Sequence, residues 1–236
     1  MSRLHHPKAG FWIRLCVVII YPLCGLLFRI RWRHLDRMPA TGGVIVVINH
    51  VSHIDTLLMA RLIWQTGRVP RFMIKSGVFE KPVLGMIMRG SKQIPVARGT
   101  ADAAKSLDAA VEELRAGEAV IIYPEGTITR DPDQWPMQAK SGIARLILAA
   151  PEIPVVPIGQ WGAQKLLGSR RAWFTRRRVA ASLGEPLDMS HHAGQPITIE
   201  ALRSVTDQIM RAVRDEVAAL RGMPAPDAFF RPSNTK

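Results

Sequence analysis

A histidine and an aspartate separated by four intervening residues form the pattern with the clearest catalytic potential in this chain. They are His50 and Asp55, and they directly follow the apolar run of residues 43–48. A carboxylate in this position can hold one imidazole nitrogen protonated, which leaves the other free to take a proton from a hydroxyl group. The same carboxylate could instead cap the backbone at the start of a helix. The spacing alone leaves both roles open.

Two other kinds of site would use the same segment. His50, His53 and Asp55 could form a two-His, one-carboxylate metal site, but their spacing does not match the metalloprotease helix pattern. Ser52 could be a nucleophile, although the chain contains no Gly-x-Ser-x-Gly motif. Both cysteines lie in the apolar N-terminal segment. We therefore favour direct attack by a substrate hydroxyl, without a metal ion, a covalent enzyme intermediate or another cofactor.

Polar residues also follow three other predicted strands. These residues are Lys75, Arg98, Glu125, Gly126 and Thr127. Ligands of open α/β sheets bind outside the carboxyl ends of the strands, where all these residues would meet. Lysine and arginine there can hold a phosphate, and glycine lets the backbone approach a ligand closely. Each residue alone could be an ordinary surface or turn residue, but the shared edge favours a binding site.

Alternating strand and helix patterns must position these residues. The run GVIVVI at residues 43–48 is typical of a strand buried on both faces, and helical patterns separate it from later strands. The sequence predicts an α/β fold: a single domain with a mostly parallel sheet flanked by helices. We assign it to residues 39–222, between an N-terminal segment (1–38) and a C-terminal tail (223–236) that we expect to be poorly ordered.

The N-terminal segment is apolar and has basic flanks. Residues 15–28 carry no charge, but this is short of the roughly 20 residues that span a bilayer. Pro22 and Gly25 would kink a helix there. The composition favours a bent hairpin or helix that dips into one leaflet, at the cytoplasmic face of a membrane. A buried helix that covers a soluble core is the alternative. A signal peptide is disfavoured because no small-residue cleavage site follows residue 28.

The chain of 236 residues is strongly basic, with 32 Lys and Arg against 19 Asp and Glu, a net charge of +13. Its apolar content excludes a disordered chain, and its two cysteines exclude a disulfide-based scaffold. The charge indicates an anionic membrane, a phosphorylated substrate or nucleic acid as partner. Residues 170–178 (RRAWFTRRR) would suit lipid or nucleic acid. No nucleic-acid-binding motif accompanies them, so we favour lipid and expect no nucleic-acid partner.

Four blocks of residues occur in order between about residues 40 and 160. They are Asn49-His50-x-Ser52-x-x-Asp55, Lys75 with Phe79-x-x-Pro82-x-x-Gly85 and Ile94-Pro95-Val96-x-Arg98, Tyr123-Pro124-Glu125-Gly126-Thr127, and Ile153-Pro154-Val155-Val156-Pro157. This order resembles the signature of the glycerolipid acyltransferase family, in particular the 1-acyl-glycerol-3-phosphate (lysophosphatidic acid) acyltransferases.

The resemblance implies acyl transfer from acyl-coenzyme A or acyl carrier protein to the free hydroxyl of lysophosphatidic acid, which gives phosphatidic acid for phospholipid synthesis. By motif match, His50 is the general base and Asp55 orients it. Lys75 and Arg98 would bind the phosphate of the acceptor. The block that contains Glu125, Gly126 and Thr127 would complete the acceptor site.

One departure from the family pattern concerns the acceptor. The family commonly has Arg after Pro-Glu-Gly-Thr, whereas Ile128 follows Thr127 here and the next arginine is Arg130. Either Arg130 replaces the missing cation, or the acceptor is another lysophospholipid or glycolipid. Residues 130–137 (RDPDQWPM) form a loop near the site to which the sequence assigns no role.

Overall fold

The computed structural model describes residue 6 and residues 8–97, 103–165 and 177–232. Helices and strands alternate along most of these residues. The helices are α1 (Phe11–Leu27), α2 (Asp55–Gln65), α3 (Pro82–Gly90), α4 (Ala103–Arg115), α5 (Gly142–Ala149) and α6 (Ile199–Arg221). The strands are β1 (Phe28–Arg33), β2 (Val44–Ile48), β3 (Pro70–Lys75), β4 (Ile94–Val96), β5 (Ala119–Ile122), β6 (Val155–Trp161) and β7 (Arg177–Leu183).

The strands form one sheet in the order β1-β7-β6-β2-β5-β3-β4. Every neighbouring pair is parallel except β6 and β7. Central β2 is fully buried because helices cover both faces of the sheet. Val44, Val46 and Ile48 pack on the side of α1 and α2, whereas Ile45 and Val47 pack on the side of α4, α5 and α6. The predicted α/β fold with a mostly parallel, helix-flanked sheet is confirmed.

The order of the strands creates a crevice at the carboxyl end of β2. From β2 the chain runs through α2 to the β5 side of the sheet, and from β5 it runs through α5 to β6 on the opposite side of β2. Open α/β sheets bind ligands where the direction of strand addition reverses in this way. The residues after β2 and β5 therefore occupy the natural ligand site of this fold.

Helix α1 is one continuous helix with Pro22 inside it, and it does not form a hairpin. It packs against α2 and α3 through one side, where Ile13 and Cys24 are buried. Its opposite side is exposed and apolar, comprising Phe11, Leu15, Val18, Ile19, Leu23 and Leu26. Among the described residues, no helix has the length and hydropathy needed to cross a bilayer.

Strand β1 directly continues α1 and was not predicted from the sequence. Phe28, Ile30 and Trp32 face the core and alternate with arginines that hide the apolar pattern. The strand pairs in parallel with β7, with Phe28 opposite Arg177. The sheet therefore includes residues that the sequence analysis placed in the N-terminal segment.

The described part of the C-terminal tail is ordered against the domain, contrary to the sequence expectation. Helix α6 ends at Gly222 in the left-handed conformation (φ 67°). The chain then returns to form a parallel bridge between Phe230 and Met137, while the Arg214 guanidinium lies 4.7 Å from the ring centre of Phe229. The two phenylalanines thus attach a segment whose composition is otherwise typical of a loose end.

Candidate active site

The tight turn between β2 and α2 brings His50 and Asp55 together. His50 Nδ1 lies 3.0 Å from Asp55 Oδ2, which also accepts hydrogen bonds from the backbone N–H groups of Val51 (2.7 Å) and Ser52 (2.8 Å). The Asp55 side chain is fully buried, whereas that of His50 is 18% exposed. Asp55 therefore both stabilises the turn and orients the imidazole, and His50 Nε2 remains to meet a substrate.

Burial raises the pKa of Asp55 above its ordinary value. The hydrogen bond to His50 and the amides of Ser52 and Val51 oppose this rise because they favour the charged form. The donors gathered around Oδ2 are thus what keeps a buried carboxylate able to stabilise a protonated imidazole.

The ring of Tyr123 packs against the face of the His50 ring. The two rings stack with their centres 4.5 Å apart, and the ring of Tyr123 lies nearly parallel to that of Phe72 at 6.4 Å. Burial raises the pKa of Tyr123 well above its usual value, so the phenol stays neutral. In the sequence, Tyr123 stands out only as part of the Tyr-Pro-Glu-Gly-Thr block. Its position directly after the strand β5 was the feature of the sequence that could have indicated its contact with His50.

Glu125 fixes the backbone at His50. Its side chain is only 2% exposed, Oε1 accepts from the backbone N–H of His50 (2.8 Å) and Oε2 from that of Met137 (3.1 Å). Burial raises its pKa to about 8, against the effect of these two amides. The geometry gives Glu125 a role in positioning the general base. Its predicted contact with substrate stays a prediction.

Gly126 follows in the left-handed conformation (φ 74°), and its N–H donates to Tyr123 O at 3.0 Å. A side chain at this position would be strained, since L-residues rarely adopt this conformation. The glycine therefore allows the sharp turn that carries the chain from β5 across the carboxyl end of β2.

Asn49 and Gln160 link the end of β2 to β6. Gln160 donates from its backbone N–H to Asn49 Oδ1 (2.8 Å) and from Nε2 to Asn49 O (2.7 Å), and Asn49 Nδ2 donates to Gln160 O (3.2 Å). Both side chains are fully buried. Sequence reasoning did not identify Gln160. Its polarity within the apolar run of β6 was the available signal.

Among the residues predicted to bind the acceptor, Lys75, Thr127 and Arg130 lie at the same edge of the sheet. Lys75 is exposed at the carboxyl end of β3, and Thr127 and Arg130 are exposed in the segment after β5. Arg98 lies outside the described residues, as do residues 170–176 of the basic and aromatic run. The binding of an acceptor phosphate by these cations stays a prediction.

The alternative chemistries receive no support from this geometry. Ser52 is buried, and its Oγ accepts from the Ile54 N–H at 3.4 Å, so it serves the turn. His53 is exposed. Across residues 8–97, 103–165 and 177–232, no group of three or more His, Cys, Asp or Glu side chains is placed to hold a metal ion.

Two clefts lie on opposite sides of the sheet, one lined in part by Thr56, which follows Asp55, and the other by Tyr123, which stacks on His50. The first, of about 640 Å³ including its mouth, lies between α1, α2, β3 and α3, with walls that include Ile20, Leu57, Phe72 and Ile74. Its lining is almost entirely apolar. The second, of about 1050 Å³ including its mouth, is lined by residues that include Tyr123, Gly126, Lys140 and Arg145. The lining of the first cleft suits an apolar group, whereas the second is lined mostly by apolar residues, with Lys140 and Arg145 among them.

Comparisons with known proteins agree with this architecture. The crystal structure of the 1-acyl-sn-glycerophosphate (LPA) acyltransferase PlsC from Thermotoga maritima superposes with a TM-score of 0.67, covering 91% of this chain and 81% of that one. At 22% sequence identity, the likeness shows a shared fold.

Sequence relatives extend over most of the chain. Tafazzin of Drosophila melanogaster is 25% identical over 195 residues, which cover 77% of this chain and 51% of tafazzin. A chloroplastic 1-acyl-sn-glycerol-3-phosphate acyltransferase of Brassica napus is 29% identical over 167 residues, which cover 70% of this chain and 44% of that protein. The chain thus spans about half the length of these relatives.

A family model described as Acyltransferase matches residues 29–161, which include every strand from β2 to β6 and the His50–Asp55 turn. The resemblance carried by the four sequence blocks is therefore confirmed, and this chain belongs to the Acyltransferase family.

Proposed function

We propose that this protein is an O-acyltransferase of phospholipid synthesis. It moves a fatty acyl chain from acyl-coenzyme A or acyl carrier protein to the free hydroxyl of 1-acyl-glycerol-3-phosphate, giving phosphatidic acid. The 3.0 Å contact between His50 Nδ1 and Asp55 Oδ2 carries the proposal, because it leaves Nε2 to act as general base.

The proposed reaction needs one proton acceptor and no covalent enzyme intermediate. The acceptor hydroxyl gives its proton to His50 Nε2 as its oxygen attacks the thioester carbonyl carbon. The tetrahedral intermediate then collapses, the carbon–sulfur bond breaks, and the leaving thiolate takes the proton back from His50. General-base assistance contributes roughly 10²- to 10⁴-fold, and orientation of the two substrates at least as much.

The apolar cleft supports a long-chain substrate. Its wall residues Thr56 and Leu57 follow Asp55 in α2, and Phe72 reaches toward His50 through Tyr123. Burial of each methylene group contributes about 0.8 kcal/mol, so a fatty chain gains much of its affinity there. In this proposal the acyl chain occupies the cleft and the polar headgroup lies at the carboxyl edge of the sheet.

Replacement of Lys75 by methionine tests the proposed acceptor. A hydrogen bond to a charged group contributes about 1.5–3 kcal/mol, so the KM for lysophosphatidic acid should rise roughly 10- to 100-fold. The KM for the thioester donor should stay unchanged. Initial rates with purified protein and a panel of acceptors with and without a terminal phosphate measure both constants.

Lys92→Met is the matched control, because Lys92 is exposed at the opposite edge of the sheet, before β4. A different acceptor is the second candidate function, and the presence of Ile128 in place of the family arginine favours it. If wild-type protein acylates only acceptors that lack a phosphate, the roles proposed for Lys75, Arg98 and Arg130 are wrong.

We also propose that the protein binds the cytoplasmic face of an anionic membrane. The exposed apolar residues of α1 recur at spacings of three and four, which places them on one side of the helix. Neighbouring α3 adds exposed Val83, Leu84 and Met86. Exposed Arg14, Arg29 and Arg31 lie nearby in the chain and suit anionic headgroups.

The double variant Val18→Ser/Leu26→Ser tests membrane binding. Each apolar side chain removed from lipid contact costs about 1.5 kcal/mol or more, so partitioning onto anionic vesicles should fall at least tenfold. Sedimentation with anionic and with neutral vesicles, alongside DNA binding at matched salt, measures the effect. The control Ile197→Ser/Ile199→Ser removes similarly exposed apolar groups before and at the start of α6. Equal binding by both double variants, or tighter binding to DNA than to vesicles, contradicts the proposal.

A further inference from the structure

The end of α6 holds the loop of residues 130–138 in place through Arg221. The Cζ atom of Arg221 lies 4.0 Å from the ring centre of Trp135 in the loop and 4.2 Å from that of Trp161 at the end of β6. Arg221 Nη1 also donates to Asp133 O at 2.8 Å. One guanidinium thus joins the loop to the sheet beside the active site.

The inner side of the loop contacts the backbone of the general base. Thr129, just before the loop, donates its N–H to His50 O (2.7 Å) and its hydroxyl to Trp135 O (2.7 Å). Met137 donates its N–H to Glu125, which accepts from the His50 N–H. Trp135 and Met137 are both buried. An unbroken series of contacts therefore runs from Arg221 to both backbone groups of His50.

The C-terminal segment 222–232 supports the same loop from outside. Gln138 donates its N–H to Phe230 O at 3.0 Å, next to the bridge between Phe230 and Met137. Arg214 donates from Nη1 to Asp227 O at 3.2 Å and contacts the ring of Phe229. The loop is consequently held between the active site and the chain end.

We propose that Arg221 is a positioning residue for acyl transfer, and that it acts together with segment 222–232. It holds the 130–138 loop so that Glu125 and Thr129 fix the His50 backbone, and it touches no substrate itself. The inference rests on the proposed function for its kinetic effect. A displacement of about 1 Å at a catalytic group can lower the rate roughly 100-fold, so a remote clamp of this kind can control kcat.

The substitution Arg221→Met removes the charge and keeps an apolar chain of similar reach. We expect kcat to fall roughly 10- to 100-fold, with little change in the KM of the donor. Arg221→Lys should recover part of the loss because an ammonium also binds the faces of aromatic rings. Arg211→Met is the control, since Arg211 is exposed on the same helix.

Two further measurements separate a positioning role from a general loss of stability. Glu125→Gln combined with Arg221→Met should be no slower than Glu125→Gln alone, because both changes disturb one series of contacts. Amide hydrogen exchange at residues 130–138 and at His50 should accelerate in Arg221→Met and stay at the wild-type rate in Arg211→Met.

The inference would be overturned if the reductions in kcat of Glu125→Gln and Arg221→Met multiplied in the double variant. It would also be overturned if Arg221→Met left both kcat and the amide exchange rates unchanged. Amide exchange requires no acceptor and still decides the inference if wild-type protein proves inactive on lysophosphatidic acid. That inactivity would count against the proposed function alone.

Discussion

Alanine at position 50 is expected to lower the rate of acyl transfer by roughly 10²- to 10⁴-fold, the contribution of a general base. The attacking hydroxyl would have to lose its proton to water, and the C–S bond would break without a proton donor for the leaving thiolate. Release of free thiol from the donor, followed under saturating concentrations of both substrates, measures kcat directly.

His53→Ala is the natural control for this experiment, because His53 is an exposed imidazole three residues away in the same turn. It should retain the wild-type rate. Vesicle binding should be equal in both variants, since α1 and α3 are unchanged. A His50→Ala protein that transfers acyl groups at near wild-type rates would show that another group removes the proton.

Alanine at position 55 is expected to damage activity and folding together. It removes the oxygen that accepts from the Val51 and Ser52 amides and from His50. A buried donor left without an acceptor costs about 1–3 kcal/mol, so the free energy of unfolding should fall by several kcal/mol. Acyl transfer should fall about as far as in His50→Ala, because the imidazole loses both its orientation and its counter-charge.

Asparagine at position 55 separates these two losses. All three contacts converge on Oδ2, so an amide oxygen in that place can still accept from both backbone groups and from Nδ1–H. Asp55→Asn should therefore unfold at nearly the wild-type urea concentration, yet lose roughly 10- to 100-fold in kcat with the negative charge. Equal unfolding midpoints for Asp55→Ala and wild type would rule out Asp55 as the acceptor that stabilises the turn.

Much of this site follows from local sequence. The β-branched run of β2 predicts a strand buried on both faces, and the polar residues after it must lie at a sheet edge. The spacing of His50 and Asp55 left open whether Asp55 caps the backbone or orients His50, and the geometry of the turn shows that it does both. Asp55 accepts from backbone amides and from His50 at the same oxygen, so the capping and catalytic interpretations describe one arrangement.

The role of Glu125 depends on strand order, which the sequence does not specify. β5 pairs with β2, and the Val47–Ile122 register brings the residues after β5 beside those after β2. The link between Asn49 and Gln160 likewise required β6 on the other side of β2.

The 130–138 loop and the C-terminal segment could not be derived from periodicity. Their contacts join Trp135, Trp161 and Arg221, three residues far apart in the chain and without a repeating pattern. A segment rich in proline and polar residues predicts disorder when considered alone. Here the contact of Arg214 with the Phe229 ring and the backbone bridge between Phe230 and Met137 attach it.

The pairing of β1 with β7 makes β1 the strand at one edge of the sheet, although β1 and β7 are far apart in the chain. Strand β7 has β6 on one side and β1 on the other. A shortened chain that begins at residue 39 would lack β1 and leave one side of β7 unpaired. A bare edge of this kind offers free N–H and C=O groups to other chains and promotes aggregation. Shortening the protein without exposing that edge requires a start at or before Phe28.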